Sequence, residues 1–451
     1  MRVVVAGSSG FIGQAFGRRV NESVELTGLT RRLRKSDGGY HEYRQCDLFS
    51  QKDAHAAVHG ADVAVYLVHS MMPSARLTQA RFEDLDLLCA LNFAAACTKA
   101  GIRKIVYLGG LLPQEGELSL HLQSRQEVEQ VLRSTGIPVV TLRAGLIIGP
   151  GGSSFQILKR LVERLPVMIC PSWTQTFTQP VSLEDVVEAL EKAALDDSLP
   201  PGAYDLGVPD RVHYLALMKQ CAAALGVKRR FWKVPVFSAR LSRRWICATT
   251  GAPFSLVGPL VESLREPMTV DESRRFPLGR EPHTLTHSLR TALAEEDAQG
   301  VVAFRGARRL KSKSLVRSVQ RMSLPKGRGA PWAAKEYLRW LPLHLRGLIQ
   351  VRGSSSGMAN FILVPFGLML LQLQHSPEHS HQERQLFYIT GGILAKGDGR
   401  DRFEIREADD SGTLLTAVHD FSPRLPWWIY RYTQALFHLH IMKRFRAHLA
   451  R

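Results

Sequence analysis

The chain lacks most of the signatures that assign a function at sight. Its six cysteines (46, 89, 97, 170, 221 and 247) form no C-x-x-C pair and no metal-ligand spacing. That excludes a zinc ribbon, a thioredoxin-type redox pair and a disulfide framework. They read as reduced, mostly buried thiols, and the expected compartment is the cytoplasm. No apolar run is long and pure enough to span a bilayer, which takes about 20 residues. The best candidate, Phe361 to Leu373, is interrupted by Pro365 and reads as one or two buried strands. The first residues enter a strand directly, so no signal peptide is expected. Helix-turn-helix, zinc-finger and RNP patterns are missing too, so nucleic acid is not an expected partner.

Acidic residues are also in short supply. Asp plus Glu number 41 against 59 Lys plus Arg, a net charge of +18. From Arg305 to Arg352, 13 basic residues stand against the single acidic Glu336. This stripe reads first as a solvated connector and second as a peripheral contact for an anionic membrane over 305–352. The length of 451 residues and a hydrophobic content of 45% predict two or three domains with ordinary packed cores.

What is present begins at the first residue. Val3, Val4 and Val5 are a β-branched run suited to a buried parallel strand. Gly7, Gly10 and Gly13 follow, spanning Ser9, Phe11 and Ile12 in a G-x-x-G-x-x-G pattern. Gly7 permits the turn out of the strand, Gly10 lets backbone approach a pyrophosphate, and Gly13 lets the next helix pack closely. The helix start offers free N–H groups and a positive dipole end to phosphates. The pattern predicts a dinucleotide site over residues 7–13.

Strand and helix patterns then alternate to about residue 195, which predicts a doubly wound parallel sheet. The second strand ends in Arg31-Arg32, where an NAD site would usually carry an acidic residue for the ribose. Two arginines better suit a 2′-phosphate, so NADP is expected, with NAD the alternative. Asp47-Leu48 ends the third strand, where it would meet the adenine. Val68-His69 ends the fourth and Gly109 the fifth. All would face one crevice at the carboxyl ends of the strands. A lone His such as His69 more often has a structural role.

Several stretches together resemble atypical short-chain dehydrogenase/reductases. They are Val3–Gly13, Asp47-Leu48, YLVHSM at 66–71, YLGGL at 107–111, HLQSRQEVEQVL at 121–132, LRAGLIIGPGGSSF at 142–155 and LVERLPVMICP at 161–171. The resemblance is closest to the NmrA-like, nucleoside-diphosphate-sugar epimerase-like bacterial group. It implies a Rossmann-like domain over 1–300 with a substrate-side extension at about 200–300. It also implies a Ser, Tyr and Lys at the catalytic positions. Here the fifth strand ends in Gly109-Gly110 without a Ser, and the Y-x-x-x-K position holds His121-x-x-x-Arg125. Either His121 is an acid/base and Arg125 a ribose or phosphate clamp, or Arg125 is a clamp, His121 is structural and the usual chemistry is lost. Arginine does not deprotonate, so it cannot replace Lys in a proton relay.

Beyond the first domain, Trp245 to Leu264 is apolar and reads as core, a hydrophobic pocket or a dimer surface. Residues 301–335 read as a basic linker. After it, strands at 345–351, 359–373, 385–394, 402–408 and 413–421 precede a helix over 426–449. That helix would turn Ile429, Thr433, Leu436, Phe437, His440 and Phe445 to one side. Residues 336–451 thus predict an α+β helix-grip-like domain, similar to the polyketide-cyclase/START superfamily, enclosing an apolar cavity for a small hydrophobic molecule. Asp409 to Gly412 is the expected hairpin turn. His375, His379 and His381 read as a polar loop and not as metal ligands. The expected function is an NAD(P)-binding oxidoreductase acting with NADPH on a hydrophobic carbonyl or ene substrate. The alternative is a non-catalytic NADP(H)-sensing or scaffolding protein whose C-terminal domain binds a lipid or other hydrophobic ligand.

Overall fold

The computed structural model describes residues 1–20, 24–34, 38–70, 75–235, 239–299, 315–353, 357–408 and 412–450. The chain divides into two compact units: Met1–Met71 with Cys89–Arg308, and Met72–Leu88 with Arg309–Arg451.

The first unit is built on a seven-stranded sheet. Its spatial order is Gly202–Leu206, Val139–Ala144, Lys104–Gly110, Val63–Tyr66, Arg2–Ala6, Glu25–Thr30, Glu42–Gln45. Every pairing is parallel. Val3, Val4 and Val5 are fully buried because Arg2–Ala6 lies between two neighbours and both of its faces are covered. Chain order reverses on either side of Arg2–Ala6, and this is where such sheets open a crevice at their carboxyl ends. The fold is the α/β, Rossmann-like doubly wound sheet that the alternation predicts.

Between the strands Val139–Ala144 and Gly202–Leu206 the chain adds the helix Ser153–Arg164. That helix packs with Tyr214–Ala224, Ala239–Thr250, Phe254–Ser263 and Leu285–Gln299 around a second apolar core. The apolar stretch 245–264 is the body of two of these helices. They are separated at Gly251, whose φ of 72° ends the first, and Pro253, which starts the second.

The second unit carries an eight-stranded sheet. Its order is Ile349–Gly353, Met358–Leu363, Leu368–His375, Arg384–Gly391, Arg402–Glu407, Thr413–Phe421, Val316–Ser323, Leu77–Gln79. The first six strands form an antiparallel meander, and Val316–Ser323 closes against the last of them. Three-residue Leu77–Gln79 adds in parallel at the edge. The helices Ala330–His344 and Gln434–Leu449 pack on the sheet through Trp340, Leu341, Ile441, Met442 and Phe445.

Three sequence expectations differ here. The segment 301–335 is not a linker throughout: Val316–Ser323 is a mostly buried strand and Ala330 starts a helix. The basic residues inside the strand hide it. Arg317 pairs with Asp420 at 3.3 Å and Arg321 with Asp84 at 2.8 Å, so neither is free basic surface. Residues 305–313 of the stripe, and Asp409 to Ser411 of the expected turn, lie outside the described residues. The expected strand 345–351 starts later, at Ile349, because the helix runs to His344. Finally, the C-terminal helix is two helices, Trp427–Tyr432 and Gln434–Leu449, broken at Thr433 (φ −125°, ψ −84°). The break resets the helical phase. Ala435, Ile441, Met442, Phe445 and Leu449 face inward, while Leu436, Phe437 and His440 are exposed.

Candidate functional site

The glycine turn follows directly from its strand. Gly7 has a φ of 91°, and a Cβ there would meet the Leu67 backbone at 3.0 Å, so the first strand's exit and the fourth strand's end touch. The Gly10 N–H donates to the Gly7 carbonyl at 2.9 Å and closes the turn. A Cβ on Gly13 would collide with the Gly7 oxygen and the Ser8 backbone, so the helix Phe11–Val20 sits as close to the strand as a glycine allows. Ser8 is buried and donates from Oγ to the Leu29 carbonyl at 2.9 Å, whereas Ser9 is exposed. Ile12 packs on the sheet core, and Phe11 lies against Gly149 and Gly152. Tyr40 adds a lock that sequence reading missed, donating to the Gly13 carbonyl at 2.6 Å.

The other crevice residues gather from separate strand ends. Arg31 and Arg32 are exposed beyond Glu25–Thr30, and their carbonyls accept bonds from Gln45 and Thr30. Asp47 is half-buried. Its Oδ1 accepts from the Phe49 N–H at 3.2 Å, so part of its capacity holds the start of helix Gln51–Val58. Leu48 is buried, and its carbonyl accepts from Asn92 at 2.8 Å. Val68 follows the fourth strand and accepts at its carbonyl from Arg125 Nη1 at 3.4 Å.

Arg125 and His121 lie one turn apart on the helix Leu120–Arg133, which Ser119 caps by accepting from the Leu122 N–H. Arg125 is buried, and its own carbonyl accepts from the buried Tyr107 hydroxyl at 3.1 Å. His121 has its Nδ1 fully enclosed. Burial, then the Arg125 guanidinium and the His69 ring, lower its pKa to about 3. The imidazole is therefore neutral at pH 7 and carries no imidazolium proton to donate. His69 itself is exposed. Gly109 and Gly110 end the fifth strand as expected. A Cβ on Gly110 would sit 3.2 Å from Leu122 Cδ2 and 3.6 Å from Arg125 Cγ, so this strand end, which carries no Ser, packs closely on the His121 helix.

Beside His121 opens an apolar cavity of about 150 Å³. Gly110, Leu146, Leu158, Trp173, Tyr214 and Met218 line it, together with Ile246, Val257, Leu260 and Leu264 from the 245–264 stretch. Tyr214, whose phenol burial pushes up, is a pocket residue that sequence reading missed. No local pattern ties it to His121, which lies more than 90 positions away. Among the described residues one other cluster has ligand-type atoms within 4.8 Å of one another: Glu184, His283 and His287. It is tied to the buried Asp185, which accepts from His283 Nδ1 at 2.7 Å and from Arg280 at 2.8 Å. Of the cysteines, Cys46, Cys89, Cys97, Cys170 and Cys221 are buried and all six are free thiols. Burial pushes Cys46 and Cys221 up to about 12. No helix among the described residues is long and apolar enough to cross a membrane.

Comparison with known proteins agrees with this geometry. Residues 3–112 match the NAD dependent epimerase/dehydratase family. The chain is 30% identical over 111 residues to the auxiliary protein GraX of Staphylococcus aureus, a match covering 24% of this chain and 36% of that one. It thus spans about a third of the curated relative. Among solved structures, the fold is similar to a nucleoside-diphosphate-sugar epimerase from Staphylococcus aureus (TM-score 0.51, 16% identity, 64% of this chain and 100% of that one). It is also similar to an NADPH-dependent quinone oxidoreductase from Escherichia coli complexed with NADPH (0.51, 16%, 64% and 98%). A third is the Citrobacter triphenylmethane reductase complexed with NADP(H) (0.52, 16%, 65% and 100%). The first unit therefore has the Rossmann-type fold shared by epimerase and reductase NAD(P)-binding proteins.

Proposed function

We propose that the first unit binds NADP(H) in the crevice over Gly7–Gly13 and transfers a hydride between it and a hydrophobic carbonyl or ene substrate. The observation that carries this reading is the apolar cavity lying beside His121 and Gly110, at the carboxyl end of the same sheet that presents the glycine turn. The diphosphate would lie on the N–H groups at the start of Phe11–Val20, and Arg31-Arg32 would take the 2′-phosphate. Asp47 and Leu48 would flank the adenine. Arg125 would hold the ribose near the carbonyl of Val68. NADPH, when bound, supplies the hydride. The cavity excludes water and admits an apolar substrate. Neutral His121 orients the substrate or accepts a hydrogen bond and does not act as an imidazolium acid, so the proton that completes the reduction would come from solvent at the crevice mouth. Quinone and triphenylmethane reductases among the structural neighbours make reduction of a conjugated substrate the first chemistry to test.

The test is calorimetric titration with NADPH and NADH, followed by NADPH consumption against a panel of quinones, enones and aldehydes. Micromolar NADPH binding with turnover lost in His121→Ala and Arg125→Ala supports an oxidoreductase. No binding of either nucleotide overturns the proposal.

A second reading rests on Gly110, which brings no carbonyl-polarising hydroxyl to the end of the fifth strand, and on the depressed pKa of His121. In it the protein binds NADP(H) without turnover and senses its redox state. The second unit, read as a helix-grip fold, would take a hydrophobic molecule in its own cavity of about 140 Å³, lined by Leu341, Phe361, Leu373, Phe403 and Ile441 with His438 and Ser318 as polar contacts. NADPH binding without turnover on any substrate favours this reading over the first.

A further inference from the structure

The second unit exposes apolar side chains where a free-standing surface would not keep them. Val364-Pro365-Phe366-Gly367-Leu368-Met369 are six consecutive exposed residues without a charge. They form the turn between the strands Met358–Leu363 and Leu368–His375, and Phe366 is 73% exposed. Runs of this kind are avoided unless they do something. Two more apolar segments adjoin the turn through the backbone. The Val364 N–H donates to the Leu348 carbonyl at 3.0 Å, and the Ile393 N–H to the Met369 carbonyl at 3.0 Å. Leu348 and Ile393 are both exposed. From Ile393-Leu394 the contact passes to Arg424, whose N–H donates to the Leu394 carbonyl at 3.2 Å, and so to the start of the helix Trp427–Tyr432. There Trp428 is 69% and Tyr432 66% exposed, followed by Leu436 and Phe437.

The surface is continuous with the unit's cavity. Leu370 and Leu371 directly follow exposed Met369, Leu394 follows exposed Ile393, and Phe437 is exposed at one edge; all four line the cavity. The segments that form it carry charge of one sign, and Asp398, just beyond Lys396, accepts from Ser422 Oγ at 3.1 Å. Residues 343–369, 393–396 and 424–437 contain Arg346, Arg352, Lys396, Arg424 and Arg431 and no Asp or Glu. All five are exposed, and none forms an ion pair with a described residue. Exposed Trp and Tyr, aliphatic loop tips and an unpaired cationic rim are together the composition that an interfacial membrane contact requires.

We propose that this surface docks the second unit on an anionic phospholipid bilayer. The turn Val364–Met369 and Trp428 would enter the headgroup and acyl boundary, and the five cations would lie on the phosphates. The basic contact then differs from the stripe over 305–352: Arg317 and Arg321 are spent on internal pairs, and only Arg346 and Arg352 of that stretch belong to it. Docking would set the cavity mouth against the acyl region. The proposal stands whether or not the cavity holds a ligand.

The full chain is sedimented with phosphatidylcholine vesicles with and without phosphatidylglycerol, at low and raised salt. Binding is expected on the anionic vesicles only, weakening as salt rises. Phe366→Ser should weaken partitioning by about tenfold or more, as loss of one buried aromatic side chain predicts. Arg424→Ala should weaken it by about fivefold. Brominated lipid should quench tryptophan emission in the wild type, and most of that quenching should vanish in Trp428→Phe. These exposed positions leave the fold intact, which circular dichroism checks. Absence of binding at low salt overturns the proposal, as does binding unchanged in both Phe366→Ser and Trp428→Phe. A dimer in sedimentation equilibrium that Phe366→Ser dissolves would assign the surface to a second copy and overturn it as well.

Discussion

Replacing Gly13 by alanine adds a methyl group that collides with the Gly7 carbonyl oxygen and comes within 2.8 Å of Ser8 Cα. Both obstacles are backbone atoms of the turn itself, so no side chain can swing aside. Either the helix Phe11–Val20 lifts from the sheet or the turn deforms. Overpacking of this kind costs about 1–3 kcal/mol. In a unit of more than 200 residues each kcal/mol moves Tm by about 2–4 °C, so the ligand-free variant should melt about 2–12 °C below wild type. The second effect is on the nucleotide. At a hundredfold excess over Kd, NADPH should stabilise wild type by about 2.7 kcal/mol. The displaced turn no longer aims its N–H groups at the diphosphate, so Gly13→Ala should lose most of that gain. Gly10→Ala separates the two effects. Its Cβ would meet only the Gly7 oxygen, at 3.1 Å, so the ligand-free Tm should change little while NADPH stabilisation drops. Differential scanning fluorimetry with and without NADPH reads both. A Gly13→Ala protein with wild-type Tm and a full NADPH shift would refute the assignment of this turn as the diphosphate cradle.

Three further outcomes follow from the same structure. Arg31→Ala/Arg32→Ala should weaken NADPH binding by about tenfold or more, the worth of a lost charge-assisted contact, and leave NADH binding nearly unchanged in a calorimetric titration. Burial lowers the His438 pKa to about 4, and His121 is held at about 3, so the unfolded chain binds protons below pH 6.5 that the folded protein refuses. Stability is therefore full above pH 6.5 and falls as pH drops toward these values. Urea unfolding at pH 7 and pH 5 should show a loss on the order of 2 kcal/mol from His438, and His438→Gln should remove that part. In the second unit, buried Glu404 accepts from Arg384 at 2.7 Å beside buried His419 and Arg406. Burial alone would raise its carboxyl, but Arg384 and His419 outweigh burial and hold it well below the usual range. Glu404→Gln leaves two buried guanidinium groups short of a counter-charge and should cost about 3–5 kcal/mol in urea unfolding. A loss under 1 kcal/mol would show the cluster to be hydrated.

Much of the candidate site was legible because its parts are local. A β-branched run, three glycines at fixed spacing and a helix start constrain one another within 13 residues, and their positions follow from backbone sterics alone. The pair His121 and Arg125 was legible for the same reason, as one turn of one helix. What those residues can do was not. The neutrality of His121 comes from enclosure together with Arg125 and His69, and the apolar pocket draws residues from Gly110 to Met268. Neither has a sequence period.

The sequence by itself determined the doubly wound sheet, the glycine turn at 7–13 and the basic surplus, since each is written in spacing or count. Only the tertiary structure decided where the second unit begins. Val316–Ser323 carries arginines that look solvated until Asp420 and Asp84 are brought against them, and Asp84 lies 237 positions away. Leu77–Gln79 becomes a strand only because that distant edge is there to pair with it. The same holds at the end of the chain. One uncapped rotation at Thr433 turns Leu436 and Phe437 outward, beside a turn of six uncharged residues whose exposure no local pattern predicts. Burial depends on what other segments cover, and that depends on contacts between residues far apart in the chain.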